Sequence, residues 1–450
     1  MVNVLFLPEL REMLKTDDLQ EMREFCTALN PARTAEFMEG LNHDEAWQIL
    51  RATDNVRRAE IFQHFSLDRQ LDLLATQDVG EMARLLAEMY ADDRVDLLQE
   101  READRVEELL GMLSKEERRE TQRLTQYADG TAGSLMTTEM AKLSEELTVR
   151  EALDELSHLG DDLETIYYVY VVNEDQQLRG VVSGRQLISS LRKGDTKLGE
   201  LMQSDVLTVS VDEHQEAVAQ KVERLDLLAI PVIDDSRRLV GIITHDDIID
   251  VVREELTEDA QRFGGVTPLR EEYLKISLLL LSWKRGIWLT VLFLGALLTA
   301  FALKRYEDAL DDFVWVVLFL PLIVSTGGNS GNQAASLVIT ALVGGELSVK
   351  DWLKVVYREF IVGIILGSIL AVIGIFIARI FAPSWQEAVV VPITLVLVVM
   401  MGCMAGSLLP LFFRRLGLDP ALMANPFIAG IMDITGIVIY MNVALLVISR

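Results

Sequence analysis

Two cysteines in 450 residues, Cys26 and Cys403, are too few and too far apart in environment for a disulfide framework or a thiolate metal site. Histidine is nearly as scarce: there are five, and the last is His245. No His–Ser or His–metal constellation can form among the apolar runs that follow it. A glycine-rich loop ending in Lys-Ser/Thr is missing, so ATP hydrolysis has no visible machinery. Positive charge is in deficit, with 42 Lys+Arg against 69 Asp+Glu, a net charge of −27. Such a chain is a poor partner for nucleic acid or anionic lipid. The N-terminus has no basic stretch leading into an apolar run, so no signal peptide is expected and the front should stay in the cytoplasm.

What is present is segregated. Half of the chain is hydrophobic and a quarter is charged, and the two classes occupy different regions. Residues 271–450 carry 12 basic and 12 acidic side chains, whereas the first 270 carry 30 and 57. The front is an acidic unit and the back an apolar, near-neutral one. An acidic excess ordinarily makes a solubility surface. The sharper reading is a divalent-cation sensor, because crowded carboxylates repel unless cations sit among them. The length allows two to four domains.

The first section repeats itself. Segments starting at Phe37, Ile61, Leu85 and Leu109 are apolar and evenly spaced by 24 residues. Each block ends near a cap candidate (Asn42, Ser66, Tyr90, Ser114), with an acid two places on. A fixed period in this range predicts stacked helical hairpins, a scaffold or interaction surface.

The second section is duplicated. Leu135-Met136 is echoed by Leu201-Met202, and Val169-Tyr170-Val171-Val172 by Ala229-Ile230-Pro231-Val232-Ile233. Gly180-Val181-Val182-Ser183 is echoed by Gly241-Ile242-Ile243-Thr244, and each copy then enters a helix. The order short strand, helix, two strands, helix resembles a tandem pair of CBS domains, regulatory modules that bind adenine nucleotides or metal ions.

The third section offers five runs near the 20 apolar residues that a helical span needs. They are 287–303, 313–342, 360–381, 389–413 and 426–448. The second is long and contains a glycine-rich polar stretch, so it is expected to bend or break within the membrane, as irregular backbone can beside protein or a water-filled cavity. With the front inside, Lys284, Arg285, Lys350, Lys354, Arg358, Arg414 and Arg415 lie on inner loops, a positive-inside bias. Lys304, Arg305, Arg379 and Arg450 lie outside, and Glu307, Asp308, Asp311 and Asp312 make that outer mouth acidic.

Asp433 carries the sharpest chemistry. It stands in an apolar run with no Lys, Arg or His between Arg415 and Arg450. An ionised carboxylate in hydrocarbon costs several kcal/mol or more, so it must face a polar cavity, a partner or an ion. A protonated structural Asp is the plainer alternative, but Ala429, Gly430 and Gly436 leave room for close helix approach. A two-fold dimer would bring this carboxylate twice to one axis. Ser325-Thr326-Gly327-Gly328-Asn329-Ser330-Gly331-Asn332-Gln333 adds amide oxygens and glycine carbonyls that suit a hydrated hard cation, or else packs helices together. Asn425 offers another amide at the inner mouth.

Taken together, the helical repeats, the CBS pair, Gly-Gly-Asn-Ser-Gly-Asn-Gln in the second span and Asp-Pro-Ala-Leu-Met-Ala-Asn-Pro…Asp-Ile-Thr-Gly in the last resemble the MgtE family of magnesium channels over nearly the full length. The resemblance implies a multi-domain membrane protein. It has an all-α superhelical N domain (1–130), an α/β tandem CBS pair (131–252), a connecting plug helix (253–282) and a five-helix transmembrane domain (283–450) forming a homodimeric pore. It implies Mg2+ influx across a bacterial cell membrane, shut off when cytosolic Mg2+ binds the acidic domains, and tuned by ATP in some members. Carried over by motif, Asp433, Asn332, Asn425 and Gly328 are the pore residues. Asp419 would meet acids of the helix after the CBS pair, Asp247, Asp250, Glu255, Glu258 and Asp259. Glu60, Asp92 and Asp96 would reach towards Glu216 and Asp226. Tyr170, Arg185, Thr244 and Asp247 are the nucleotide candidates. Two departures stand out: His214 where an acid is expected, and Gln186 where copy one should carry the acid matching Asp247.

The rival classes are an enzyme, a proton- or sodium-coupled secondary transporter and a CBS-regulated anion channel. The missing catalytic groups oppose the first, and a lone pore carboxylate opposes the last.

Overall fold

The computed structural model describes residues 5–99, 103–159, 163–269, 273–274, 276–307, 310 and 314–448, with the side chains of 103 and 421–426 left aside. Asp308, Asp311, Asp312, Arg450 and the Asn425 side chain therefore lie outside the described residues. The chain forms two compact units, Met1–Arg253 and Glu254–Arg450.

Among the described residues, the first unit opens with ten short helices: α1 (Leu7–Thr16), α2 (Leu19–Ala28), α3 (Pro31–Met38), α4 (His43–Arg51), α5 (Asn55–Gln63), α6 (Leu67–Thr76), α7 (Val79–Ala87), α8 (Ala91–Gln99), α9 (Ala103–Met112) and α10 (Lys115–Leu124). The 24-residue period is a period of helix caps. Asn30, Asp54 and Asp78 cap α3, α5 and α7 through their side chains. Asn42 and Ser114 close capping boxes with Glu45 and Glu117, while Ser66 makes no side-chain cap bond. Gln70, Arg94 and Arg118, again 24 apart, donate to carbonyls that end the preceding helix, such as Phe65, Met89 and Leu113. Orphan carbonyls at a helix end must find donors, and here one repeated side chain supplies them.

Next come α11 (Ala132–Leu135), β1 (Met140–Ser144), α12 (Val149–Leu159), β2 (Thr165–Val172), β3 (Leu178–Ser183), α13 (Gly184–Ser189), α14 (Leu198–Leu201), β4 (Val209–Ser210), α15 (Gln215–Leu225), β5 (Ala229–Ile233), β6 (Leu239–Thr244) and α16 (His245–Phe263). Two three-stranded sheets, β1-β2-β3 and β4-β5-β6, share one topology: a parallel pair followed by an antiparallel pair. The sequence echoes have a packing reason. A Cβ on Gly180 would sit 2.7 Å from Sδ of Met202, and one on Gly241 2.7 Å from Sδ of Met136. Each Met thus packs on the glycine of the other copy. The helical and sheet parts also share core: Ala91, Val95 and Leu124 cluster with Ala132, Val218, Ile230 and Ile248.

Among the described residues, the second unit holds five helical segments long and apolar enough to cross a membrane. These are α17 (Leu278–Arg305), α18 (Val314–Val317) continuing into α19 (Leu320–Val343), α20 (Trp352–Phe381), α21 (Trp385–Ala388) leading into α22 (Val390–Arg415), and α23 (Pro420–Ile448). The expected break in the second span is corrected. The helix α19 runs unbroken through the glycine-rich stretch, and the irregularity lies earlier, between Val317 and Leu320. Its glycines serve close approach instead. A Cβ on Gly406 would lie 2.0 Å from the Gly331 carbonyl oxygen, and one on Gly402 2.5 Å from that of Gly327. Small residues let α19 and α22 meet backbone to backbone.

Candidate metal centres

Three elements of the first unit converge on one acidic pocket. Asp92 stands in the first turn of α8, Asp247 in the first turn of α16, and Glu164 immediately precedes β2. One carboxylate oxygen from each lies within 4.8 Å of the others. Local bonds fix their aim. The Thr244 hydroxyl donates to Oδ2 of Asp247 at 2.6 Å, and the Glu164 amide donates to the Glu139 carbonyl at 3.0 Å. Asp92 is only 7% exposed. Oδ1 of Asp92, Oε2 of Glu164 and Oε2 of the neighbouring Glu139 are buried with no partner among the described residues.

Burial governs the electrostatics. It pushes the Asp92 carboxyl well above the usual range, with the charges of Asp93, Glu164 and Asp247 adding to the effect. Burial likewise raises Glu164 and Glu139 to about 7 and Asp247 to about 6. Arg94 is held by the Thr121 hydroxyl at 3.0 Å, the Leu86 and Met89 carbonyls and Glu120. Tyr90 is raised by burial and by the field of Glu164, Glu139, Asp93 and Glu60, which places Glu60 in the same acidic region. Unpartnered carboxylate oxygens around one point are the donor set of a hard divalent cation such as Mg2+.

This grouping differs from the one expected from sequence. Asp92 and Asp247 come together, but Glu164 was missed, because the three acids come from distant segments and no spacing joins them. Glu216 and Asp226 bracket α15, at its first turn and its C-cap, some 15 Å apart at 1.5 Å per residue. One ion cannot bridge both within a chain. His214, the unexpected residue, caps α15 by accepting from the Glu216 amide at 3.4 Å. Glu60 pairs with Arg57 at 2.7 Å, and Asp96 is exposed on α8. Tyr170 is 1% exposed, packed with Met140, Ala229 and Ile242, and its hydroxyl has no partner among the described residues. Its ring therefore offers no open stacking face. Ser183 and Gln186 in copy one form the same capping arrangement as Thr244 and Asp247 in copy two, and Arg185 is exposed beside them.

In the second unit, Glu258 and Asp419 meet through a residue that the sequence reading passed over. Arg262 reaches Glu258 at 2.7 Å and Asp419 at 3.0 Å. Glu255 and Asp259 lie on the same helix, and Asp250 pairs with Arg253 at 3.1 Å in solvent.

Asp433 is half-buried in α23, and its carboxylate has no hydrogen bond or ion pair among the described residues. Close contacts set its level. A Cβ on Gly327 would meet Met432, one on Gly331 would meet Ile428, and one on Gly436 would meet Val324. Asp433 thus lies level with Gly327, and Gly328, with open space at its Cβ position, is next along. Asn332 stands roughly 8 Å further along the axis by helical rise. Its Oδ1 is buried without a partner among the described residues. Asn329, Asn332, Gln333 and Ser336 share one face of α19 and line a cavity of about 580 Å³. The opposite face holds the packed Gly327, Gly331 and Ala335. One helix thus carries both alternatives: its glycines pack and its amides line the cavity on the other face.

Comparisons with known proteins agree with one another. The profile described as "Divalent cation transporter" matches residues 320–443, "MgtE intracellular N domain" matches 29–130, and "CBS domain" matches 132–193 and 198–254. The magnesium transporter MgtE of Thermus thermophilus is 37% identical over 339 residues, covering 75% of this chain and 74% of its own. That of Enterococcus faecalis is 34% identical, covering 73% and 72%. Among solved structures, the cytosolic domain of the Mg2+ channel MgtE in complex with ATP aligns with a TM-score of 0.51 at 33% identity, over 54% of this chain and 98% of its own. The soluble part of a magnesium transporter gives 0.52 at 37%, over 55% and 97%. A homoserine O-acetyltransferase of Methanohalobium evestigatum matches over 24% of this chain, confined to the CBS pair.

Proposed function

The chain belongs to the MgtE family of magnesium transporters, and from that premise we propose that it is a Mg2+ channel closed by its own substrate. It is a multi-pass membrane protein of a transporter family, not an enzyme. In this reading two copies place their Asp433 carboxylates on a shared axis, and hydrated Mg2+ passes between them and the amide face of α19. The acidic unit lies in the cytoplasm. Cytosolic Mg2+ enters the pocket of Asp92, Glu164 and Asp247 and neutralises acids that otherwise repel. When Mg2+ falls, the ion leaves and the repulsion favours an open arrangement.

The observation that carries the sensing half is the convergence of three carboxylates from separate segments, two of which, Asp92 and Glu164, keep a buried oxygen without a partner among the described residues. A structural acid cluster would be knitted by arginine or lysine. The unpaired Asp433 carries the conducting half. Inside-out patch recording with graded Mg2+ on the cytosolic side tests both: current that persists in millimolar Mg2+ contradicts closure, and a pH-dependent reversal potential at fixed Mg2+ would indicate proton coupling instead.

A nucleotide is a second ligand in this reading, favoured by the ATP-bound relative. The groups for it are Arg185, Thr244 and Asp247. Gln186 removes the copy-one acid, and Asp247 is shared with the acidic pocket. Calorimetric titration of ATP with and without Mg2+ decides it; absence of heat in both conditions removes ATP from the account.

A further inference from the structure

Arginines that end a helix commonly serve its last carbonyls. At the end of α22 backbone amides already do so. Gly417, at φ +74°, turns the chain; its amide donates to the Arg414 carbonyl at 3.2 Å, and the Leu418 amide donates to the Phe413 carbonyl at 3.0 Å. The side chains of Arg414 and Arg415 are left exposed, with no hydrogen bond or ion pair among the described residues. A second helix brings cations to the same place. The helix α20 runs antiparallel to α22: a Cβ on Gly363 would lie 2.7 Å from Cα of Met400, and one on Gly367 2.7 Å from Cα of Val396. Val355 clusters with Leu411, and the turn Val349–Asp351 that opens α20 packs on the end of α22. Lys350 stands in that turn and Arg358 about two turns further in; both are exposed and unpaired among the described residues. The nearby acids do not balance them. Asp351 accepts from the Ser348 hydroxyl at 2.7 Å and from Lys354 at 2.8 Å, and Asp419 is held by Arg262. Glu346 and the half-buried Glu359 are the other acids of these segments.

We propose that Lys350, Arg414 and Arg415, with Arg358 beneath them, bind the phosphate of an anionic lipid headgroup that bridges α20 and α22. Residues 344–348 join spans two and three and residues 416–419 join spans four and five, so both helix ends open on one side of the membrane. Trp352, Tyr357, Phe412 and Leu416 are exposed around the cations, an aromatic and apolar rim suited to headgroup depth. Guanidinium forks match phosphate oxygens, and long basic side chains near a span end lay their stems on apolar surface while the charge reaches the interface. A soluble anion has no acyl chain to lie along that rim, which favours the lipid. The far end of α20 differs: Arg379 there donates to the Ala382 carbonyl and sits over the Trp385 ring at 5.2 Å. The headgroup would hold the end of α22, from which the chain turns at Gly417 into α23, the helix that carries Asp433. This site stands apart from the gating reading.

Delipidated full-length protein in detergent, titrated with phosphatidylglycerol or with phosphatidylcholine of the same chains and read by native mass spectrometry, tests it. Phosphatidylglycerol is expected to stay bound where phosphatidylcholine is lost. The double variant Arg414→Gln/Arg415→Gln should weaken phosphatidylglycerol binding about fivefold for each charge removed, the scale of one basic side chain at an anionic surface. Lys350→Gln, in an exposed turn, should weaken it about fivefold and gives the same test should the double variant not fold. Arg379→Gln removes one charge at the opposite end and should leave binding unchanged. Equal retention of the two lipids, or an equal loss in Arg379→Gln, overturns the proposal. Displacement of the lipid by millimolar inorganic phosphate overturns it too, by making this a site for a soluble anion. A double variant that changes oligomeric mass while its lipid binding stands would make the patch a subunit contact and overturn the lipid assignment.

Discussion

A carboxylate survives in an apolar helix only when something polar meets it, and within this chain nothing described meets Asp433. Removing the charge should therefore cost the protein its conduction and not its fold. Asp433→Ala is expected to abolish Mg2+ uptake while the purified protein elutes as the parent does; growth of a transport-deficient host at low Mg2+ on this variant would contradict it. Glu164 is the counterpart in the soluble unit. Its Oε2 is buried without a partner among the described residues, so its charge is only partly offset until a cation arrives. Glu164→Gln should raise the Mg2+ needed for half-closure by about tenfold, the ordinary range of one coupling contact. A change below twofold would remove Glu164 from the ligand set.

At the level of elements, the close contact of α19 with α22 makes a separate claim. The Gly406 Cβ position lies 2.0 Å from the Gly331 oxygen, too close for any side chain. Gly406→Leu must push the two helices apart, and overpacking of this kind costs about 1–3 kcal/mol or more. Loss of the monodisperse peak in detergent is the expected result, whereas Asn329→Ala on the opposite face should keep it. Much of this architecture was legible in the sequence, because periodicity records helix caps and apolar runs record spans. The 24-residue repeat became a stack in which each helix packs on the one two places on, and the Leu-Met and Gly echoes became paired packing sites. The unbroken α19 was misread because glycine and asparagine signal irregular backbone in water, while in a packed bundle glycine signals contact. Glu164 and Arg262 were invisible for another reason. Their partners come from segments far away in the chain, and only the fold brings them together.

On the scale of the whole molecule, the charge imbalance of the front makes the packing of the acidic unit depend on what neutralises it. Protons can do so as well as metal. Glu164 and Glu139 have folded values near 7 and Asp247 near 6, against ordinary values of 4.5 and 3.8. Between those limits the folded unit holds more protons than the unfolded chain. Stability must then fall as pH rises from about 4 to about 7, since its slope follows the proton count of the unfolded state minus that of the folded state. Mg2+ binds the ionised form, so it should matter little at pH 5 and most above pH 7. Hydrogen–deuterium exchange over α8 and the start of β2 reads this locally. With chelator, protection factors corrected for intrinsic exchange should decline through this window. With millimolar Mg2+, the decline should flatten or reverse. A profile independent of pH in chelator would mean that the pocket acids are solvated and ionised throughout, and that their crowding does no work on the fold.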